Sequence, residues 1–317
     1  CPTRELAEQV ATEIRRLAST IPNIKLLTLC GGKPMGPQLA SLQRDPHIVV
    51  GTPGRILKHL EKETLHLDSV QTLVLDEADR MLDMGFHDDI MQIIGKTPGS
   101  RQTLLFSATY PDGIKKISDR VQRDPVDIRV EASHNNPDID QVFFQVEKAE
   151  RLETLFKVIA HYQPESSLVF CNTKQSCHEL ANKLRQRDLH ALALHGDLEQ
   201  FERDQVLTQF AGKSSSILIA TDVAARGLDV KELAAVINFE LSRDPEVHIH
   251  RIGRTARASS KGLAVSLFAA SERRRLQAIE EYQDSAATIA EVANLSEPAN
   301  FKLYPPMVTL LVNGGRK

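Results

Sequence analysis

Three acidic residues crowd the end of an apolar run in the stretch TLVLDEADRMLD, residues 72–83. Asp76 follows the apolar residues directly, at the position where a phosphate-binding α/β domain places a carboxylate that holds Mg²⁺. Glu77, the next residue, could orient or deprotonate a water molecule. A bound cation would relieve the repulsion between these neighbouring charges. The alternative is a solvated acidic turn, and the four letters DEAD alone favour neither interpretation.

Arginines recur in the stretch HIHRIGRTAR, where Arg251, Arg254 and Arg257 are spaced three residues apart. If a helix begins near Gly253, Arg254 and Arg257 lie at neighbouring points of one turn. Two guanidinium groups in this arrangement can bind the charge that develops on a transferred phosphoryl group. The alternative is a basic helix face that only contacts solvent. We favour the phosphate contact because glycine and histidine accompany the arginines.

Several predicted helices begin directly after an apolar run, with a capping residue at the junction. The candidate caps are Thr3, Thr52, Asn172 or Thr173, and Thr221 or Asp222. Helix N-termini bind phosphate groups through free N–H groups, and Arg4 and Arg55 add charge beside two of these caps. One cap signals only that a helix begins, whereas four on comparable sheet edges predict a surface that grips a sugar-phosphate backbone without reading bases.

Short apolar runs bounded by turn or capping residues predict the strands that position these groups. The runs are IKLLTLC, HIVVGTP, QTLVLDEAD, QTLLFSAT, SSLVFCNT, HALALHG, SILIATD, AAVINFE and GLAVSLF. Helical patterns lie between them, as in residues 149–162, so we predict an α/β fold with parallel sheets. We expect the stretch ERRRLQAIEEYQ to form an exposed, charged helix. The predicted domains are residues 1–130 and 141–285, with linkers at 131–140 and within 286–317.

The composition excludes several classes of protein. A chain of 317 residues with 41% hydrophobic residues can fill two cores, and its net charge of −3 would not attract nucleic acid or an anionic membrane globally. Any polyanion site must therefore be local. No apolar run approaches the roughly 18 residues of a membrane span. The four cysteines lack metal-site spacing, which favours reduced thiols and a cytoplasmic location.

In sequence, the chain resembles the DEAD-box RNA helicases over nearly its whole length. The matching motifs, in order, are PTRELA, GG (31–32), TPGR, DEAD, SAT, VFCNT, QFER, ATDVAARGLD and HRIGRTAR. Stretches such as LCGGKPMG and NFELSRDPEVHIHRIGRTARA are most similar to the bacterial DbpA subfamily. The resemblance implies two tandem RecA-like domains, the first truncated at its N-terminus. It also implies that MVTLLVNGGRK is the first strand of an RRM-like RNA-binding domain.

The resemblance assigns roles to individual residues. Asp76 and Glu77 would hold Mg²⁺ and the attacking water, and Arg254 and Arg257 would contact the γ-phosphate of ATP. Residues for ATP binding and for coupling hydrolysis to RNA would be Asp79, Ser107, Thr109, Gly227 and Asp229. Contacts to the RNA backbone would come from Pro2, Thr3, Arg4, Gly32, Thr52, Gly54, Arg55, Thr173, Gly196, Thr221 and Arg226.

The implied activity is RNA-dependent ATP hydrolysis, with ATP-driven closure of the two domains prying short RNA duplexes apart. ATP and Mg²⁺ are the implied cofactors. RNA is the implied partner, with large-subunit ribosomal RNA in a pre-ribosomal particle as the expected setting. The alternatives are a non-hydrolysing RNA clamp and an enzyme acting on duplex DNA. His195 could act as a general base, but we favour a structural or RNA-edge role because the acids already supply the water chemistry.

The sequence departs from the family pattern at its beginning. The family places an adenine-recognising segment and a Gly-rich, Lys-bearing phosphate loop ahead of PTRELA, and these residues contain neither. We interpret the chain as a fragment. We expect these residues alone to bind ATP poorly and to aggregate through uncovered sheet edges.

Overall fold

The computed structural model describes residues 1–129, 138–225, 233–256 and 261–296. The described residues form two compact units, the first up to residue 129 and the second from residue 138 on. None of the described helices combines the length and the hydropathy that a bilayer span requires.

The first unit alternates helices with short parallel strands. Its strands are β1 (Leu26–Leu29), β2 (Ile48–Gly51), β3 (Thr72–Leu75) and β4 (Gln102–Leu105). Its helices are α1 (Arg4–Leu17), α2 (Met35–Leu42), α3 (Pro53–Glu61), α4 (Ala78–Asp83), α5 (His87–Gly95) and α6 (Asp112–Val121). Within the described residues β1 pairs with β2 and β3 with β4, as two separate two-stranded parallel sheets.

Each strand pair of the first unit has its own apolar cluster. Ala7 and Ala11 lie one helical turn apart on α1 and pack with Cys30 and Val50 beside β1 and β2. Their small side chains allow the helix backbone to approach the strands closely. Beside β3 and β4, Ile114 and other residues from α4, α5 and α6 form a second cluster. Burial of one such side chain contributes roughly 1.5–3 kcal/mol.

The second unit is built on one seven-stranded parallel sheet. Its strands are β5 (Ile139–Gln145), β6 (Ser167–Cys171), β7 (Ala191–Leu194), β8 (Ile217–Thr221), β9 (Ala235–Asn238), β10 (Gly262–Phe268) and β11 (Ile289–Ala290). Its helices are α7 (Arg151–Tyr162), α8 (Lys174–Arg185), α9 (Gln200–Ala211), α10 (Asp222–Ala225), α11 (Pro245–Ile252) and α12 (Arg273–Gln283). The strand order is β11-β5-β10-β9-β6-β8-β7.

Central strands of this sheet are buried along almost their whole length. All residues of β6 and β9 are buried, and so are the first four of β8. A parallel sheet covered on both faces requires such unbroken apolar runs. The nine predicted strands are all present and parallel, and the helix predicted from residues 149–162 is α7, so the α/β prediction is confirmed.

Some features differ from the predictions. β5 begins at Ile139, so the last two residues of the predicted linker belong to a strand that pairs with β10. β11 joins the sheet beyond residue 285, the predicted end of the second domain. The helix α12 is not simply exposed, because Leu276 and Ile279 pack against Phe143 and Phe268. Its charged composition hides an apolar pair three residues apart. The predicted RRM-like strand lies outside the described residues.

Candidate ATP and RNA sites

The DEAD residues leave the carboxyl end of β3 in a sharp turn that enters α4. The Ala78 N–H donates to the Phe106 carbonyl (3.0 Å), and the Phe106 N–H donates to the Leu75 carbonyl (2.8 Å). Glu77 has a left-handed backbone (φ 51°), which is unfavourable for a residue other than glycine. The Asp76 Oδ1 accepts the Glu77 N–H at 3.0 Å. The turn holds two half-buried carboxylates at the strand edge, and the backbone strain there is typical of functional sites.

Asp79 connects this acidic turn to the SAT residues. Its Oδ2 accepts both the backbone N–H and the hydroxyl of Thr109, each at 3.1 Å. The Asp79 N–H donates to the Ser107 Oγ at 3.2 Å, and the Ser107 hydroxyl donates to the Thr109 carbonyl at 2.6 Å. Asp79 is only 6% exposed, so these hydrogen bonds stabilise a buried charge. A movement of either segment therefore affects the other.

The carboxylates fit Mg²⁺ that is held largely through water and nucleotide phosphates. Mg²⁺ in such sites uses one or two protein carboxylates and keeps several waters. Asp76 offers one carboxylate, with one of its oxygens accepting the Glu77 N–H. Among the described residues there is no group of three or more His, Cys, Asp or Glu that could hold a metal. Asp76 can thus contribute to a nucleotide-bound Mg²⁺ without forming a complete metal cage.

In the first unit, the residues predicted to contact RNA cluster near the carboxyl ends of β1 and β2. Thr3 caps α1 by accepting the Leu6 N–H at 3.2 Å. Thr52 is the N-cap residue of α3, where its side chain makes no capping hydrogen bond. Gly32 has φ +74°, and a Cβ on Gly31 would lie 3.2 Å from the guanidinium of Arg4. The segments PTRELA, GG and TPGR thus share one edge.

Arg55, the last residue of TPGR, is held by a buried network. Its Nη1 donates to the Gln38 Oε1 (2.6 Å), and its Nη2 donates to the Lys33 carbonyl (3.0 Å). Gln38 donates in turn to the Cys30 carbonyl at 3.2 Å, and the His59 Nε2 lies 3.0 Å from the Gln38 Oε1. Burial lowers the pKa of His59, aided by the charge of Arg55. This network fixes the guanidinium beside the GG turn.

The second unit presents a similar row on adjacent strands. Thr173 follows β6 and caps α8 by accepting the Ser176 N–H at 3.1 Å. The Thr221 Oγ at the end of β8 accepts the Ala224 N–H at 3.4 Å. Gly196 follows β7 and is exposed. Since β6, β8 and β7 are neighbours, these residues lie along one sheet edge.

Comparisons with known proteins match both units to one family. The DEAD/DEAH box helicase family matches residues 1–117, and the helicase conserved C-terminal domain matches residues 147–259. The ATP-dependent RNA helicase DbpA of Escherichia coli is 52% identical over the whole chain, which covers 69% of that relative. The chain belongs to the DEAD-box RNA helicases. Both units are therefore RecA-like helicase domains.

Other DEAD-box proteins give the same result at lower identity. The ATP-dependent RNA helicase CshA of Listeria monocytogenes is 45% identical over 88% of this chain, which spans 54% of that relative. The solved structure of Dbp5 of S. cerevisiae bound to RNA and ADP BeF3 matches with a TM-score of 0.82 and 29% identity. That match covers 92% of this chain and 76% of Dbp5. The chain thus spans about half to two thirds of the relatives found by sequence.

The arginine motif of this DEAD-box protein differs from the prediction. The helix does not begin near Gly253; α11 ends at Ile252, and Gly253 is its C-cap residue. It begins earlier because Asp244 caps it, accepting the Glu246 N–H at 2.9 Å, and proline follows at the first helical position. Arg254 therefore follows the helix, while Arg257 lies outside the described residues, as do Arg226, Gly227 and Asp229.

Arg251, which the spacing grouped with Arg254 and Arg257, is a buried structural residue. It is 2% exposed and binds both carboxylate oxygens of Asp222, at 2.6 and 2.8 Å. It also donates to the side chains of Asn172 (2.9 Å) and Asn238 (3.1 Å) and to the Glu240 carbonyl (2.8 Å). Arg251 thus ties the carboxyl ends of β6, β8 and β9 together. The sequence signal for this network was a polar residue at the end of each of these strands or directly after it.

The network also resolves the open choices of helix cap. Asn172 and Asp222 bind Arg251, which leaves Thr173 and Thr221 as the capping side chains. His195 is half-buried, and its Nδ1 has no hydrogen-bond partner among the described residues. Burial lowers the pKa of this ring. Its structural or RNA-edge role stays a prediction.

Proposed function

We propose that this DEAD-box protein hydrolyses ATP in response to RNA and separates short RNA duplexes locally, in the cytoplasm. The observation that carries the proposal is the position of Asp79, which joins the acidic turn to the SAT segment through three hydrogen bonds. This buried link gives nucleotide chemistry at one strand end a direct route to the neighbouring strand. The resemblance to the DbpA subfamily supports large-subunit ribosomal RNA as the substrate and ribosome assembly as the setting.

The proposed roles follow from where the side chains lie. Glu77 orients and deprotonates the attacking water, and its fixed backbone turn keeps the carboxylate in place. Mg²⁺ held by Asp76 would supply positive charge to the phosphate oxygens. Arg254, together with Arg257, neutralises charge on the γ-phosphate when ATP and RNA draw the two domains together.

RNA is gripped through its backbone in this proposal. The helices that begin after Thr3, Thr52, Thr173 and Thr221 present N–H groups at the carboxyl ends of strands. Arg55, fixed by its network, adds a guanidinium at the first of these edges. Contacts of this kind do not distinguish bases, so binding should depend on salt far more than on sequence.

The test is ATP hydrolysis by the full-length protein with and without RNA, with Glu77→Gln beside it and Glu61→Gln as an exposed-acid control. We expect RNA to stimulate hydrolysis and Glu77→Gln to lower the rate at least about 100-fold, since general-base catalysis contributes that much. The control should behave as wild type. If the wild-type protein binds RNA but does not hydrolyse ATP, the helicase proposal is wrong and the RNA clamp is the better account.

Two comparisons test the finer parts of the proposal. Single-stranded DNA and RNA of one sequence should be compared as stimulators, and equal stimulation would count against an RNA enzyme. Fragments of large-subunit ribosomal RNA should stimulate hydrolysis at lower concentration than unrelated RNA of equal length. If both RNAs stimulate hydrolysis at the same concentration, the ribosomal setting is refuted and the proposed unwinding activity is unaffected.

A further inference from the structure

A cavity of about 270 Å³ opens at the carboxyl edge of the second unit's sheet. It is lined from segments that follow β5, β6, β9 and β10. After β6 the chain continues through α8 to β7 on one side of the sheet, and after β9 it continues through α11 to β10 on the other. The cavity therefore lies at a topological switch point, where open α/β sheets bind their ligands.

Four basic side chains and two carboxylates line the cavity, but the carboxylates are already engaged. Glu272 is ion-paired with Arg151 and with Arg275, and it accepts the Ala269 N–H at 2.9 Å. Glu240 accepts the Asn172 N–H at 2.7 Å. Two arginines therefore balance Glu272, and although Glu240 keeps its charge, four cations against two carboxylates leave the lining with a net positive charge.

The remaining cations are available to a ligand. Lys148 and Arg243 line the cavity, are exposed, and form no hydrogen bond or ion pair within the part of the chain that the structure describes. Arg151 is only 4% exposed, yet its Nε has no acceptor among the described residues. A buried donor without a partner is unfavourable, and an anion in the cavity could supply the missing acceptor.

The size and the neighbours of the cavity limit the ligand. Its volume is just below the range of roughly 300–1,000 Å³ typical of small-molecule pockets, so it suits a phosphate group better than a whole nucleotide. Thr173, a proposed RNA contact at the start of α8, also lines it, and Phe239 offers an aromatic face to a sugar or base. The cavity is thus continuous with the proposed RNA edge.

We propose that this cavity binds one further phosphate group of the RNA backbone, beyond the contact at Thr173. The proposal rests on the proposed RNA function and extends it. Lys148 and Arg243 bind the phosphate oxygens, and Arg151 fixes the floor of the site through its pair with Glu272. The site adds affinity for any RNA sequence because none of these contacts distinguishes bases.

The test uses the full-length protein and a fluorescein-labelled oligouridylate, with affinity measured over a range of salt concentrations. The variant Lys148→Gln/Arg243→Gln removes the two free cations, and Lys157→Gln/Lys183→Gln removes the same charge from exposed positions elsewhere on this unit. We expect the cavity variant to lower affinity about tenfold and to reduce the slope of log K against log salt by about 0.7 per lost phosphate contact. The swap Lys148→Arg/Arg243→Lys should restore the slope.

The outcomes separate this site from the proposed function. A wild-type protein that does not bind the oligonucleotide counts against the RNA function itself. Equal slopes in the wild type, the cavity variant and the control overturn the cavity site alone. Inorganic phosphate is titrated calorimetrically as a second probe. Heat that is lost only in the cavity variant, with RNA affinity unchanged, would overturn the RNA assignment in favour of free phosphate.

Discussion

His248 should make the second unit sensitive to acid. Its ring is fully buried on α11, stacks on Phe143 at 5.8 Å between centroids, and has no hydrogen-bond partner for either nitrogen among the described residues. Burial, helped by the charge of Arg251, lowers the pKa of His248 to about 3. In the unfolded chain the same imidazole titrates at about 6.5. The unfolded state therefore binds more protons between these two values.

The size of the effect follows from this difference in pKa. Above pH 6.5 both states are neutral at His248, so its contribution to stability is complete there. As the pH falls below 6.5 the unfolded state gains a proton that the folded state excludes, and each pH unit costs about 1.36 kcal/mol. Between pH 7.5 and pH 5.0 this residue alone should lower the free energy of unfolding by about 2 kcal/mol.

Hydrogen exchange followed by mass spectrometry is the suitable assay, because two compact units need not unfold in one transition. Exchange of peptides from α11, corrected for intrinsic rates, gives the local free energy at both pH values. His248→Phe keeps the stacked ring and removes the titration, and His190→Gln is the exposed control. The variant should lose about 2 kcal/mol of the pH dependence, however well the new ring packs. The same pH dependence in wild type and His248→Phe would refute a buried neutral imidazole.

Three further substitutions test other parts of the structure. Gly51→Ala should destabilise the first unit by about 1–3 kcal/mol in urea unfolding, because its Cβ would lie 2.5 Å from the Leu29 carbonyl oxygen; the control Gly95→Ala, with nothing within 4 Å, should stabilise it by about 0.5–1 kcal/mol. Asp79→Asn should cost about 1–3 kcal/mol and speed hydrogen exchange in the SAT segment, since an amide nitrogen replaces one acceptor. Arg251→Lys should cost about 2–4 kcal/mol in the second unit, measured by exchange in β8, because lysine cannot form the bidentate pair. Unchanged exchange in either case would contradict the assigned hydrogen bonds.

Hydrophobic periodicity and the turn and capping residues predicted most of the strands, because buried parallel strands have short apolar runs in their sequence. They missed β11, where only Ile289 and Ala290 pair, since two residues give no periodic pattern. They also missed β5 as a strand, and the predicted domain boundary at residue 141 lay two residues late, because Ile139 follows a polar, proline-bearing stretch. The apolar face of α12 was hidden by its charged composition. Local sequence patterns thus fail to predict a segment whose structure is decided by tertiary contacts and not by its own residues.

The arginine motif shows why spacing alone cannot assign roles. Residues three apart share a helix face only while the helix continues, and α11 ends between Arg251 and Arg254. Arg251 turns into the sheet because Asp222 lies at the carboxyl end of β8, which the strand order β9-β6-β8 brings near the end of β9. Because Arg251 is buried and its guanidinium donates to Asp222, Asn172, Asn238 and Glu240, it cannot reach a phosphate. Of Arg254 and Arg257, Arg254 is the one within the described residues, and its contact with the γ-phosphate stays a prediction. Because Arg254 follows the end of α11, its position depends on the network that Arg251 holds together.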